Sequence, residues 1–158
     1  MNGLEESDMT DAIDSLIRRV VEAEAPNTAV ITASTTDEGI RVVEVRPISP
    51  TAAQMVANID GEAGLVTLIF GAGAVFEIPK RGHRYIGRDL EGEVSALCSA
   101  VLLGDLEEDV WLKHQKVVRA RARIMIADRT VTAAWSELAP LLFIGGKKET
   151  RRYTPYKA

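Results

Sequence analysis

The chain has little of most things that announce a function. Of its 158 residues, one is a cysteine and two are histidines. A lone thiol, Cys98, excludes an intrachain disulfide framework and fits a reducing compartment. His83 and His114 have neither a second histidine nor a cysteine at ligand spacing, so no metal is expected. No apolar run approaches the ~20 residues that span a bilayer. Basic charge is not in excess: 19 Lys and Arg against 23 Asp and Glu leave a net charge of −4. That argues against general nucleic-acid binding, which wants a basic surface. The segment Met1-Asn2-Gly3-Leu4-Glu5-Glu6-Ser7-Asp8 is acidic and has no signal-peptide character. These absences predict a cytoplasmic protein with no membrane, nucleic acid or cofactor among its partners.

Catalytic motifs are equally scarce. Gly71-x-Gly73 lacks the Gly-Lys-Ser/Thr of a phosphate loop and leads toward a strand, which makes it a tight turn. Cys98 falls on the apolar stripe of a helix and reads as a small core residue rather than a nucleophile. Glu107, Glu108 and Asp109 resemble an acid–base cluster, but strand alternation puts Glu108 on the opposite face from the other two. Carboxylates paired with arginine stay ionised and make poor general acids. The sequence therefore points away from an enzyme.

What is present describes one α+β domain over 1–158, with a core over about 8–144 and a basic C-terminal tail over 145–158. Apolar residues make up 46% and charged residues 27%, an ordinary balance for a globular domain of this length. Residues 8–24 carry an amphipathic helical stripe of Met9, Ile13, Leu16, Ile17, Val20 and Val21, with Ser7 or Thr10 as the expected cap. The period then falls to two. Strands are expected at 28–33, 40–46, 54–59 and 62–70, the last two joined through an Asp60-Gly61 type I′ turn that sets Ile59 against Glu62. A short strand, 75–78, ends at Pro79. Asp89 caps a second helix, 90–103, which Gly104 stops. Strands at 106–113, 117–126 and 130–135 follow. Together these predict a largely antiparallel, meandering sheet packed against two amphipathic helices.

The most informative stretch is Val117 to Ile126. Alternation puts Arg119, Arg121 and Arg123 on one face, and Val118, Ala120, Ala122, Ile124 and Ile126 on the other. If His114-Gln115-Lys116 is a hairpin loop, Trp111 meets Arg119, Asp109 meets Arg121 and Glu107 meets Arg123. Two readings follow. The arginines form an internally paired, solvated sheet face, or they form a recognition surface for a carboxylate-rich or phosphate-bearing partner.

Other basic features are less specific. Lys80-Arg81-Gly82-His83-Arg84, with Arg88, reads first as a solvated loop and second as an anion-binding one. Near the C-terminus, Leu141-Leu142-Phe143-Ile144 reads as core. Lys147, Lys148, Arg151, Arg152 and Lys157 form a segment that docks on the acidic first helix, stays free, or pairs with another chain.

The stretches Gly71-Ala72-Gly73-Ala74-Val75-Phe76-Glu77-Ile78-Pro79 and Ala100-Val101-Leu102-Leu103-Gly104-Asp105-Leu106-Glu107-Glu108-Asp109-Val110-Trp111 resemble those of small uncharacterised bacterial α+β proteins. Some of these are proposed as immunity partners of secreted polymorphic toxins. The resemblance touches roughly residues 55–127 and consists of turns, a helix stop and a strand, so no functional residue carries over. It implies a cytoplasmic protein that binds and blocks another protein. The expected contacts for a protein partner are Trp111, Arg119, Arg121 and Arg123, with Lys80 and Arg84. The rival expectation is a small-molecule binder or enzyme with a pocket near Met55, Phe70 and Phe76, anchored by His83 or Arg84. A homo-oligomer through an exposed sheet edge is the third.

Overall fold

The computed structural model describes residues 2–79, 90–126, 129–136 and 146–157. The elements run α1 (Asn2–Glu24), β1 (Ala29–Thr35), β2 (Arg41–Pro47), β3 (Met55–Asp60), β4 (Leu65–Phe70), β5 (Ala74–Pro79) and α2 (Leu90–Leu102). They continue as β6 (Leu106–Lys113), β7 (Lys116–Ile126), β8 (Arg129–Ser136) and β9 (Lys147–Arg152). Two helices and antiparallel strands make this an α+β fold. The strands form two sheets rather than one: a five-stranded meander β1-β2-β3-β4-β5, and a four-stranded sheet in the order β8-β7-β6-β9.

Helix α1 starts at Asn2, so Ser7 and Thr10 lie within it and neither is its cap. Acidic residues at the start of a helix complement its dipole, which lets it extend beyond the apolar stripe. Its buried residues, Met9, Ile13, Ile17 and Val21, recur every fourth position and face the core. Asp14 pins the helix to β2: its carboxylate accepts from Arg18 at 2.7 Å and from Arg41 at 2.8 Å. Burial raises the Asp14 pKa, but the two guanidiniums more than offset this and hold it below the usual carboxylate value. Asn27, at φ 59°, turns the chain into β1.

The β3–β4 hairpin differs from the two-residue expectation. Ile59 pairs with Val66 and Asp60 with Leu65, so the loop contains four residues. Asp60 Oδ1 accepts the Ala63 N–H at 2.9 Å, and Gly64 rather than Gly61 takes the positive φ. The side chain of Asp60 competes for the backbone and widens the turn. The register moves by four residues, an even number, so the faces are preserved. Met55, Ala57, Ile59, Val66, Leu68 and Phe70 are all buried on one side.

A single core cluster joins these residues to Phe76 and Ile78 of β5, Val94, Leu97, Cys98 and Val101 of α2, and Leu106, Ala122 and Ile124 of the second sheet. Each fully buried large side chain contributes ~1.5–3 kcal/mol relative to exposure. Met55, Phe70 and Phe76, expected under the rival reading to line a pocket, are core: 3%, 0% and 7% exposed, with the two phenylalanine rings 5.5 Å apart. Helix α2 ends as expected, with the N–H groups of Gly104 and Asp105 bonded to the carbonyls of Val101 and Ala100.

The C-terminal segment is built into the fold. Strand β9 pairs with β6 along its length, from Glu107 with Arg152 to Leu112 with Lys147. Beyond it Tyr156 is 3% exposed, its hydroxyl donating to the Ala53 carbonyl. The expected basic loop from Lys80 to Arg88, the Asp89 cap and the apolar run 141–144 lie outside the described residues.

Candidate functional site

The second sheet has two unlike faces. Strand β6 pairs with β7 through Leu106 with Ile124, Glu107 with Arg123, Asp109 with Arg121, Val110 with Ala120 and Trp111 with Arg119. This is the register expected from the sequence. The turn itself is shorter than expected: His114 and Gln115, at φ 50° and 67°, make a two-residue turn, and a bulge restores the register between Trp111 and Leu112. Leu106, Val110, Ala120, Ala122 and Ile124 turn inward and are 0–2% exposed. Glu107, Asp109, Trp111, Arg119, Arg121 and Arg123 turn outward.

Strand β9 adds a row that sequence reasoning missed. Lys148 stands beside Trp111, Thr150 beside Asp109 and Arg152 beside Glu107, all on the outer face. Trp111 is thereby flanked by two cations, Arg119 at 4.5 Å from the ring centroid and Lys148 at 5.6 Å. Five of the six residues in β9 are charged, which hid its alternation behind the look of a solvated tail.

The carboxylates on this face are fully engaged. Glu107 accepts from Arg123 on one oxygen and from Arg152 at 2.8 Å on the other. Asp109 accepts from Thr150 at 2.8 Å and from Arg123 at 3.0 Å, with the Lys148 ammonium at 3.3 Å. Asp109 therefore takes the diagonal Arg123 in place of its direct neighbour Arg121, a reach within the span of long side chains. The Arg123 hydrogen bond, then that from Thr150, holds the Asp109 carboxyl down at about 2. Arg123 and then Arg152 lower Glu107 likewise, and Glu107 and Asp109 raise Arg123. Neither acid is a proton donor near neutrality.

Arg121 stands apart. It is exposed, and its guanidinium makes no ion pair or hydrogen bond among the described residues. Among the described residues the face thus holds five cations (Arg119, Arg121, Arg123, Lys148 and Arg152) against two carboxylates, on a chain whose net charge is −4. At the Arg152 end a cleft of about 520 Å³ opens between Glu107, Arg123, Met125, Arg152 and Tyr153. Met125 is 63% exposed at its rim. Of the expected contact residues, the structure brings Trp111, Arg119, Arg121 and Arg123 together, while Lys80 and Arg84 lie outside the described residues.

Elsewhere the titratable groups serve the fold. Glu108 turns inward and is 0% exposed; one carboxylate oxygen accepts from the Tyr153 hydroxyl and from the Ala72 N–H at 2.9 Å. It ties the β4–β5 turn of the first sheet to β6 and the segment after β9. Glu93 on α2, 2% exposed, pairs with Arg129 on β8. Burial pushes the Cys98 thiol up to about 12, which removes it as a nucleophile. Among the described residues, no cluster of His, Cys, Asp and Glu could hold a metal ion, and no helix is long and apolar enough to cross a membrane.

Comparison of the chain with protein-family models, with curated proteins and with solved structures gives no match.

Proposed function

We propose that this chain is a non-enzymatic binding module that captures an acidic protein partner on the outer face of its second sheet, in the manner of an immunity-type inhibitor. The observation that carries the reading is Arg121, an exposed guanidinium without a carboxylate partner among the described residues, beside a tryptophan flanked by Arg119 and Lys148. Tryptophan and arginine are the residue types that dominate binding hot spots. Here the ion-pair network around Arg123 holds neighbouring side chains in place before any partner arrives, which lowers the ordering entropy of association. The local positive excess on an acidic chain would orient an acidic partner toward this face and away from the rest of the surface. Inhibition needs only such complementarity of charge and shape, and the reduced, cytoplasmic setting expected from the sequence suits it.

The test is capture from native lysate with the wild type, a Trp111→Ala/Arg121→Ala variant and a Glu62→Ala control far from this face. The expected result is an acidic protein held stoichiometrically by wild type and control and lost from the double variant. Equal capture by all three would refute the assignment. A second reading rests on the cleft beside Arg123 and Arg152: a small anionic ligand bound there. Native mass spectrometry of the purified protein would reveal it as an adduct that disappears in Arg152→Ala.

A further inference from the structure

The four edges of the two sheets are not equally protected. An open edge exposes unpaired backbone groups, and proteins usually guard it with charge, proline or a covering element. Strand β9 is guarded by Lys147, Lys148, Glu149, Arg151 and Arg152. The β5 and β8 edges pack against one another. Among the described residues, strand β1 has none of these protections: its sequence, Ala29-Val30-Ile31-Thr32-Ala33-Ser34-Thr35, contains no charge and no proline, and it pairs on one side only.

The hydrogen-bond phase of that edge can be read directly. Ile48 N–H donates to the Thr28 carbonyl and Thr36 N–H to the Ile40 carbonyl, at 2.8 and 2.9 Å. Backbone groups alternate along a strand, so the even positions between them face β2. Ala29, Ile31, Ala33 and Thr35 therefore turn their N–H and C=O groups to the open edge. We infer that this edge pairs with β1 of a second copy of the chain, antiparallel about a two-fold axis through Thr32, joining two five-stranded sheets.

The register supports that occupant over a foreign strand. About Thr32, Ile31 lies opposite Ala33 of the second copy, and Ala29 opposite Thr35 of the second copy. These are all outward-facing odd positions, so each pair exchanges two backbone hydrogen bonds. Ile31 and Ala33 are half-buried fringe residues of the core and would meet on the inner face. On the outer face Thr32 meets Thr32 of the second copy in the closer, non-hydrogen-bonded spacing, and Val30, 57% exposed, meets Ser34 of the second copy. Ile31 meets Ala33 inside, with Ala29 against Thr35 at the ends, hydroxyl meets hydroxyl at the centre, and no charge is buried. Seven paired residues make less than a standard-sized interface, so the association should depend on concentration.

The test is sedimentation of the full chain from micromolar to near-millimolar concentration, with Thr32→Lys and Thr32→Glu, each alone and mixed. Thr32 is exposed, so both variants should fold as the wild type does, which circular dichroism checks. The expected wild-type result is a rise from 17.2 kDa toward twice that mass. Each variant alone should self-associate roughly fivefold more weakly through like charges at the axis. An equimolar mixture should recover association by forming the mixed dimer, visible by native mass spectrometry. A wild type monomeric throughout, or a dimer indifferent to both substitutions, would overturn the inference. A monomer that loses a captured protein on Thr32→Lys would overturn it too, assigning the edge to an extended segment of that protein.

Discussion

Replacing Gly71 by alanine probes the joint between the two sheets. Gly71 has φ +56°, and a Cβ there would overlap Glu108 Oε2 and stand 2.7 Å from the Tyr153 hydroxyl. The left-handed backbone alone costs an alanine ~1 kcal/mol. The contact adds more, because Glu108 is 0% exposed and has little room to retreat. Moving its carboxylate breaks the hydrogen bonds from Ala72 N–H and Tyr153, and an under-satisfied buried acceptor costs ~1–3 kcal/mol. Gly71→Ala should therefore lose about 2–4 kcal/mol in urea denaturation. Gly39→Ala is the internal control: φ is +84°, but nothing lies within 4 Å of the added carbon, so only the backbone penalty remains. Combined with Tyr153→Phe, which removes one of the same hydrogen bonds, Gly71→Ala should be less than additive. Equal losses for Gly71→Ala and Gly39→Ala would refute the joint as described.

Other outcomes follow from the same geometry. Tyr156→Phe leaves the buried Ala53 carbonyl without its donor and should destabilise by about 1–2 kcal/mol in the same assay, whereas a free tail would show no change. Cys98 should resist alkylation in the native protein and react fully once unfolded, since burial holds its thiol at about 12; rapid native labelling would contradict its placement. Asp109 titrates at about 2 in the fold against 3.8 ordinarily, so its contribution to stability is whole above about pH 4 and is lost as pH falls through about 2. Glu107 shifts in the same direction. Asp109→Asn should flatten the acid limb of a stability–pH profile in that window, and an unchanged limb would show that the network does not perturb it.

Alternation made much of this molecule legible in advance. The inward set on β3 and β4 is preserved through a register shift of four residues because four is even, and the β6–β7 pairing from Leu106 to Trp111 is readable because charge and apolarity agree on one register. The failures share a cause: local side-chain chemistry that no periodicity encodes. Asp60 bonding to Ala63 widened one turn, and a bulge shortened another to His114-Gln115. The split into two sheets depends on long-range packing around α2. Strand β9 was hidden because its inward and outward residues are both charged, yet Lys148, Thr150 and Arg152 decide which carboxylates on the face are satisfied and leave Arg121 as an exposed cation without a carboxylate partner among the described residues.

The central claim, recognition of an acidic protein by the outer face of the second sheet, is tested most directly by photo-crosslinking in the native cell. A photoreactive residue in place of Ala134, exposed beside Arg121 on the same face, should trap a single acidic protein, while one in place of Glu62 or Asp37 should trap none. A partner trapped from Glu62 or Asp37 but not from Ala134 would place the binding surface elsewhere and contradict the account.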